Sequence, residues 1–174
     1  YLPEQLDSLL AQTYAHFRLL VSDDGSSDAT SAILRRYGPQ FGGRLLVIDN
    51  PGQGQGVIKN FENLMAASVR DGLARWAAFA DQDDVWLPHK IERCVQEMSR
   101  LEAAEGGRLP CLVHSDLVVV DERLNRIAES FVKYQRMDPQ QCSPVSLLSM
   151  NQVTGCTMLV NRALLEMALP VPRE

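Results

Sequence analysis

The sequence lacks the features that mark several large protein classes. No stretch approaches the roughly 18–20 consecutive apolar residues of a membrane-spanning helix, and no charged-then-apolar signal peptide is present. The net charge is -5, and no cluster of Lys or Arg is long enough to follow a phosphate backbone. We therefore expect no transmembrane segment in this chain and no nucleic-acid partner.

Cysteine is also sparse and scattered. The chain has four cysteines, Cys94, Cys111, Cys142 and Cys156, without a CxxC pair and without a His at ligand spacing. The spacing indicates neither a zinc site nor a disulfide framework. A reducing, cytoplasmic setting is the interpretation that this pattern favours.

What the chain does have is a regular alternation of short apolar runs and amphipathic segments. At 174 residues and 45% hydrophobic content it fits one globular domain spanning residues 1–174. The runs FRLLVS (residues 17–22), RLLVID (44–49) and RWAAFA (75–80) are too short for helices and predict buried strands. Strands separated by helices predict a three-layer α/β/α sandwich with a mainly parallel sheet.

The helices between these strands carry recognisable boundary signals. Residues 2–14 show helical spacing, Ser27 or Asp28 is a candidate N-cap for the next helix, and Gly72 is a candidate C-cap. Pro88 fits the first turn of a long helix. In the second half, CLVHSDLVVVDERLN predicts a strand that pairs with NRIAESFV, and CTMLVNRALLEMAL predicts a strand followed by a closing helix.

Acidic residues follow two of the predicted strands directly. Asp23 and Asp24 come after the first strand, and Asp81, Asp83 and Asp84 come after the third, in FADQDDVW. Because ligands of open α/β sheets bind beyond the carboxyl ends of the strands, both clusters belong to the same functional edge. We expect them to lie close together in space.

Crowded carboxylates need either solvent or a cation. Two of them ~4 Å apart repel by about 4 kcal/mol at an effective dielectric near 20. Oxygen ligands without nearby Cys or His favour Mg or Mn. The alternative is an acidic helix entry before Pro88, stabilised by the helix dipole. That alternative explains one Asp well, but not two clusters at two strand ends.

Two other motifs are alternatives to this metal site. An EF-hand loop would use Asp81, Asp83 and Glu92, but Trp86 occupies the required glycine position. A haloacid-dehalogenase-type phosphatase would use Asp81 as nucleophile and Asp83 as acid, although that motif normally sits on the first strand of its domain. The phosphatase is the alternative enzyme.

The ordered motifs FRLLVSDDGSSDAT, KNFENL, FADQDDVWLPHK, HSDLVVVDE and NQVTGCTMLVNR together resemble the family-2 glycosyltransferases of the GT-A fold. The resemblance covers nearly the whole chain, and DQDDVWLP and VTGCTMLVNR are most similar to the rhamnosyltransferase-like branch that builds bacterial surface polysaccharides. It implies metal-dependent, inverting transfer of a sugar from a nucleotide-diphosphate donor, dTDP-rhamnose or a UDP-sugar, to a glycan or lipid-linked glycan. It implies Mn or Mg and a cytoplasmic location, with the inner face of the membrane as an alternative.

The resemblance also assigns roles on the nucleotide side. Asp24 matches the position that hydrogen-bonds the pyrimidine base, with Asp23 as its neighbour. Lys59 matches a basic position near the nucleotide, and a solvated lysine on a helix face is the equal alternative. Asp83 matches the metal ligand of the DxD motif, and Asp81 matches the acid that contacts the ribose or the metal shell.

On the sugar side, the resemblance gives Asp84 a role in orienting donor or acceptor hydroxyls. Trp86 is either a sugar-stacking platform or a core aromatic. Asp116 faces the acceptor, whereas the nearby His114 is more typical of a structural histidine. Gly155 lets the backbone approach the transferred sugar.

The catalytic base is expected outside this set of residues. In the similar branch an Asp follows the PVP segment, which places the base beyond Glu174, and the family's first strand is expected before residue 1. The chain is therefore expected to be a fragment of the catalytic domain. A domain that binds the nucleotide-sugar without turnover is the non-enzymatic alternative.

Overall fold

The computed structural model of the chain describes residues 1–51, 54, 56–72, 74–105, 108–138, 143, 145 and 151–172. Cys142 and Glu174, both named above, lie outside these residues. The helices are α1 (Leu2–Leu10), α2 (Thr30–Tyr37), α3 (Val57–Asp71), α4 (Lys90–Glu105), α5 (Phe131–Tyr134) and α6 (Arg162–Met167). The strands are β1 (Leu19–Val21), β2 (Leu45–Val47), β3 (Trp76–Ala78), β4 (Leu112–His114), β5 (Val119–Val120), β6 (Arg126–Ala128) and β7 (Met158–Asn161).

The boundary signals lie within two residues of the helix limits, but two of them differ from the prediction: Ala29, not Ser27 or Asp28, is the N-cap of α2, and Pro88 precedes α4 instead of lying in its first turn. Asp28 Oδ1 accepts a hydrogen bond from the Thr30 N–H at 2.9 Å, at the start of α2. Helix α3 ends at Gly72, whose φ of 70° is the left-handed conformation that glycine adopts without steric cost. Pro88 lies in the turn that precedes α4. Of the three signals, Gly72 is the one that lies at the predicted helix limit itself.

Strand pairing confirms the α/β class, but among the described strands only the β1–β2 pair is parallel and the other three pairs are antiparallel, whereas the sequence predicts a mainly parallel sheet. Strands β1 and β2 pair in parallel with α2 between them, as predicted. Strand β7 lies between β3 and β4 and is antiparallel to both, so β3 and β4 run in the same direction. The predicted pairing of NRIAESFV with the preceding segment appears as the β5–β6 pair.

Two clusters of buried side chains form the core, and α4 contributes to both. The first cluster joins α1, α2 and the start of α4, and its buried members are Leu6, Leu9, Leu34, Tyr37, Phe41, Trp86 and Ile91. The second joins α4 to β4 and β7 through Cys94, Met98, Cys111 and Leu159. Helix α4 therefore links the N-terminal elements to the sheet that carries β3.

One buried amide joins the elements around β7. Asn161 is only 2% exposed. Its Oδ1 accepts from the backbone N–H groups of Cys111 and Leu164, both at 3.0 Å, and its Nδ2 donates to the carbonyl of Leu109 at 2.8 Å. It thereby connects β7 to β4 and caps α6. The buried N–H of Cys111 and the partly buried groups of Leu164 and Leu109 would lose these hydrogen bonds if the amide were removed.

Replacement of Asn161 by Ala should lower the free energy of unfolding by roughly 3 kcal/mol, because several buried polar groups lose their partners. The matched control is Asn63→Ala. Asn63 donates a solvent-exposed hydrogen bond to the Asp49 carbonyl at 3.0 Å, and its loss should cost less than about 1 kcal/mol. Urea unfolding of the three proteins measures both values, and equal losses would contradict the role given to Asn161.

Candidate functional site

The acidic loop, residues 81–84, begins three residues after β3. Asp81 and Asp84 are half-buried, whereas Asp83 is exposed in the turn formed by residues 82 and 83. The structure therefore treats the three carboxylates differently. Two point toward protein, and the third faces solvent.

Asp81 and Asp84 lie beside a cysteine that comes from another part of the chain. One carboxylate oxygen from each Asp and the Sγ of Cys156 all lie within 4.8 Å of one another. Cys156 belongs to the short 3-10 turn Gly155–Thr157, directly before β7. Because β7 is antiparallel to β3, with Ala78 opposite Leu159, the start of β7 lies next to the end of β3.

The pKa values of Asp81 and Cys156 show that this grouping is electrostatically unfavourable. Burial raises the pKa of Asp81, and the charges of Asp84 and Asp83 raise it further. Burial also raises the pKa of the Cys156 thiol to about 12, together with its hydrogen bond to Asp84 and the charges of both Asp84 and Asp81. The thiol therefore stays protonated while the two carboxylates have no cation between them.

The nearest lysine does not neutralise the group by a direct ion pair. Burial lowers the pKa of Lys90, against the opposing influence of Cys94, Cys156 and Asp84. Its Nζ lies 4.2 Å from the centroid of the Trp86 ring, a cation–π distance. Lys90 therefore acts on the acidic loop through space.

The donor atoms fit a divalent cation. Within the described residues, Asp84 Oδ2 is buried and has no hydrogen-bond partner. Leaving a buried carboxylate oxygen without a partner is costly, and a metal ion bound there would remove the cost. Carboxylate oxygens suit Mn and Mg, and a neighbouring sulfur favours Mn of the two. Asp81, Asp84 and Cys156 are the residues that this arrangement offers to the ion.

The carboxylates of the other acidic pair, Asp23 and Asp24, accept hydrogen bonds from backbone N–H groups of the protein. Asp24 Oδ1 accepts from the Gly54 N–H at 2.9 Å, and Oδ2 accepts from the Gly56 N–H at 3.1 Å. Asp23 Oδ1 accepts from the N–H of Ser26 at 2.9 Å and from its hydroxyl at 2.6 Å. Asp24 thus holds the loop that leads into α3, and Asp23 closes the turn after β1. Their contacts with a nucleotide stay predictions.

Lys59 and Trp86 already have partners within the protein. Lys59 pairs with Glu62 at 2.7 Å on α3. Trp86 is 7% exposed and belongs to the first core cluster, which is the core alternative of its two interpretations. A ligand can reach Lys59 only in competition with Glu62.

Asp116 anchors the start of α5. Its Oδ1 accepts from the N–H groups of Leu117 at 2.8 Å and Val132 at 3.2 Å. Burial pushes the pKa of Asp116 upward, but hydrogen bonds from Ser130 and the backbone outweigh burial and hold the pKa below its ordinary value. The neighbouring His114 is exposed at the end of β4. A role for Asp116 toward the acceptor stays a prediction.

An open, largely apolar cleft of about 260 Å³ adjoins Asp81. It lies between the first turns of α3 and the 3-10 turn, and its lining includes Val57, Ile58, Phe61, Phe79, Gly155 and Met158. Nothing lies within 4 Å of the position that a Cβ on Gly155 would take. Sequence reasoning missed both this cleft and Cys156, since cysteine was considered only at CxxC spacing.

Comparison with known proteins gives the family. The model of glycosyl transferase family 2 matches residues 1–162. The chain belongs to this family. Its GT-A fold agrees with the mixed α/β structure described above. The rhamnosyltransferase-like branch is a finer assignment than this match.

Curated relatives support the family assignment over different parts of the chain. An uncharacterized glycosyltransferase of Rickettsia typhi is 25% identical over 162 residues, which are 92% of this chain and 46% of that protein. One from Nostoc sp. is 33% identical over 96 residues, 55% of this chain and 28% of that protein. The UDP-Glc:alpha-D-GlcNAc-diphosphoundecaprenol beta-1,3-glucosyltransferase of Escherichia coli is 30% identical over 93 residues, 53% of this chain and 34% of that protein. The chain thus spans less than half of each of these proteins.

None of the helices in the described part of this glycosyltransferase chain is long and apolar enough to cross a bilayer.

Replacement of Asp84 by Asn should lower the pKa of Asp81, because it removes the largest charge effect on that carboxyl while keeping an oxygen acceptor. Asp83→Asn should lower it less. Carboxyl 13C NMR titration without metal measures both. Since folding raises this pKa above 3.8, ionisation of Asp81 destabilises the fold as pH rises through the raised value. An unchanged Asp81 pKa in Asp84→Asn would contradict the grouping.

Proposed function

We propose that this chain carries the donor site of a metal-dependent, inverting glycosyltransferase that moves a sugar from a nucleotide diphosphate to a glycan acceptor. The observation that carries the proposal is the group Asp81, Asp84 and Cys156, with its unpartnered buried oxygen, at a strand end of a family-2 domain. In open α/β sheets ligands bind beyond the carboxyl ends of the strands, which is where this group lies relative to β3.

The residues divide between the ion and the nucleotide. Asp81 and Asp84 hold the ion from the protein side with Cys156 beside them, and Asp83 reaches it from the exposed turn. When bound, Mn or Mg supplies positive charge that stabilises the diphosphate leaving group. Asp81 serves the ion and the ribose together.

The second acidic pair, Asp23 and Asp24, binds the nucleotide base. Asp24 accepts a hydrogen bond from the base N–H while it also holds Gly54 and Gly56, and Asp23 supports the turn after β1. Lys59 leaves its ion pair with Glu62 to contact the nucleotide. Gly155 gives the transferred sugar room beside Asp81. Asp116 supports the acceptor side through α5, and Trp86 supports the acidic loop from the core.

The substrates follow from chemistry and from one relative. The Escherichia coli relative is named for a UDP-glucose donor and a diphosphoundecaprenol-linked acceptor, which supports a UDP-sugar donor and a lipid-linked glycan acceptor here. The dTDP-rhamnose donor is the alternative within the same chemistry. A cytoplasmic site of action, at the inner face of the membrane, suits both substrates.

A phosphatase with Asp81 as nucleophile is the second candidate. Its second acid would be Asp83, which is exposed and lies outside the group formed by Asp81, Asp84 and Cys156. A non-catalytic domain would bind nucleotide and metal without transferring sugar. The three proposals differ in the products that they give.

Saturating UDP or dTDP with Mn should raise the melting temperature by roughly 5 °C, since ligand at about 100 times Kd stabilises by about 2.7 kcal/mol. EDTA or Asp81→Asn should abolish the shift, and the exposed-turn variant Glu122→Gln should keep it. Thermal unfolding measures each case, and nucleotide-sugar hydrolysis is followed in parallel. No metal-dependent shift with either nucleotide would refute the donor site, and a phospho-Asp81 would favour the phosphatase.

A further inference from the structure

Polar side chains at the end of α1 contact the segment that connects the acidic loop to α4. We call Ser8 and Gln12 the α1 brace. Its contacts are Trp86 N–H to Ser8 Oγ at 3.0 Å, Ile91 N–H to Gln12 Oε1 at 3.1 Å, and Gln12 Nε2 to the Leu87 carbonyl at 2.9 Å. A backbone hydrogen bond from Thr13 to the Pro88 carbonyl, at 2.9 Å, runs alongside.

The brace is buried, and its partners are distant in sequence. Ser8 and Gln12 are each 7% exposed. Buried polar groups destabilise a fold unless they are hydrogen-bonded, so these two side chains are tied to one position of residues 86–91. The Ile91 N–H lies in the first turn of α4, where it has no partner within the helix, and Gln12 supplies one. An apolar side chain could fill the same space but could not fix this register.

The brace acts next to the group that we assign to the metal. Asp84 lies two residues before Trp86, whose N–H is held by Ser8 and whose ring is buried in the core. The charges of Asp84 and Asp81 repel each other, and the brace fixes the segment that directly follows Asp84.

We propose that Ser8 and Gln12 are positioning residues, which set the separation of Asp81 and Asp84 and so the affinity of the site for its divalent ion. The inference rests on the proposed function, because it assigns these residues to the same metal site. Neither side chain touches the ion, so their effect passes through residues 86–91.

The test compares Gln12→Leu with Gln5→Leu. Gln5 lies in α1, which ends two residues after Ser8, and is 3% exposed; its Oε1 accepts from the Ser8 hydroxyl at 3.3 Å. Mn titration followed by electron paramagnetic resonance, well below both melting temperatures, should show at least about tenfold weaker binding in Gln12→Leu, as for other residues that orient metal ligands. Gln5→Leu should stay within about twofold of the parent chain.

A second pair of variants, at Ser8, tests the inference in case Gln12→Leu does not fold. Ser8→Ala should weaken Mn binding, and Ser8→Thr, which keeps the hydroxyl, should restore it. If the melting temperature falls while the Mn Kd stays unchanged, the brace is structural only and the inference is overturned.

Hydrogen exchange of residues 79–91 separates this inference from the proposed function. If the parent chain binds no Mn, the metal assignment fails, and exchange still tests the brace. Faster exchange in the acidic loop of Gln12→Leu, absent from Gln5→Leu, supports positioning of the loop. Equal exchange in both variants overturns it.

Discussion

Repulsion between the carboxylates at the end of β3 is the constraint on which the arrangement of this site depends. Asp81 and Asp84 are half-buried beside Cys156, where burial and like charge both oppose ionisation of Asp81. A pair at ~4 Å costs about 4 kcal/mol at an effective dielectric near 20, a large part of the 5–15 kcal/mol that stabilises a typical domain. Such a group of carboxylates is stable only where the surrounding fold holds it in place. A bound cation would offset the repulsion, which favours binding of the cation.

The surrounding fold holds the group from two directions. Strand β7 brings Cys156 to the end of β3, and Asn161 secures the other end of β7 through buried hydrogen bonds to β4 and α6. On the far side, α1 fixes the segment after the acidic loop through Ser8 and Gln12. Elements that are distant from the site in sequence therefore hold its residues in place.

Local chemistry explains why much of this could be predicted from the sequence. Apolar runs of strand length and the cap at Gly72 each act within a few residues, and the structure places them as expected, whereas Pro88 lies just before α4 and not in its first turn. The acidic residues after β1 and β3 were likewise visible as clusters at strand ends. The family match agrees with the predicted fold class, whereas the roles given to these acidic residues stay predictions.

The remaining features depend on contacts that no local pattern encodes. The antiparallel placement of β7 between β3 and β4 decides that Cys156 joins the acids, and nothing around Cys156 in sequence signals it. Which of Asp83 and Asp84 turns inward depends on a single turn at residues 82 and 83. The contacts of Asp24 with Gly54 and Gly56 join residues about 30 positions apart in the sequence.

The most direct measurement of the central claim is the position of the ion itself. Crystals of the chain grown with Mn and UDP, measured at the manganese absorption edge, should give one anomalous peak at coordination distance from the carboxylates of Asp81 and Asp84, next to Cys156. A peak on Asp83 alone, a peak elsewhere, or no peak at saturating Mn would contradict the account.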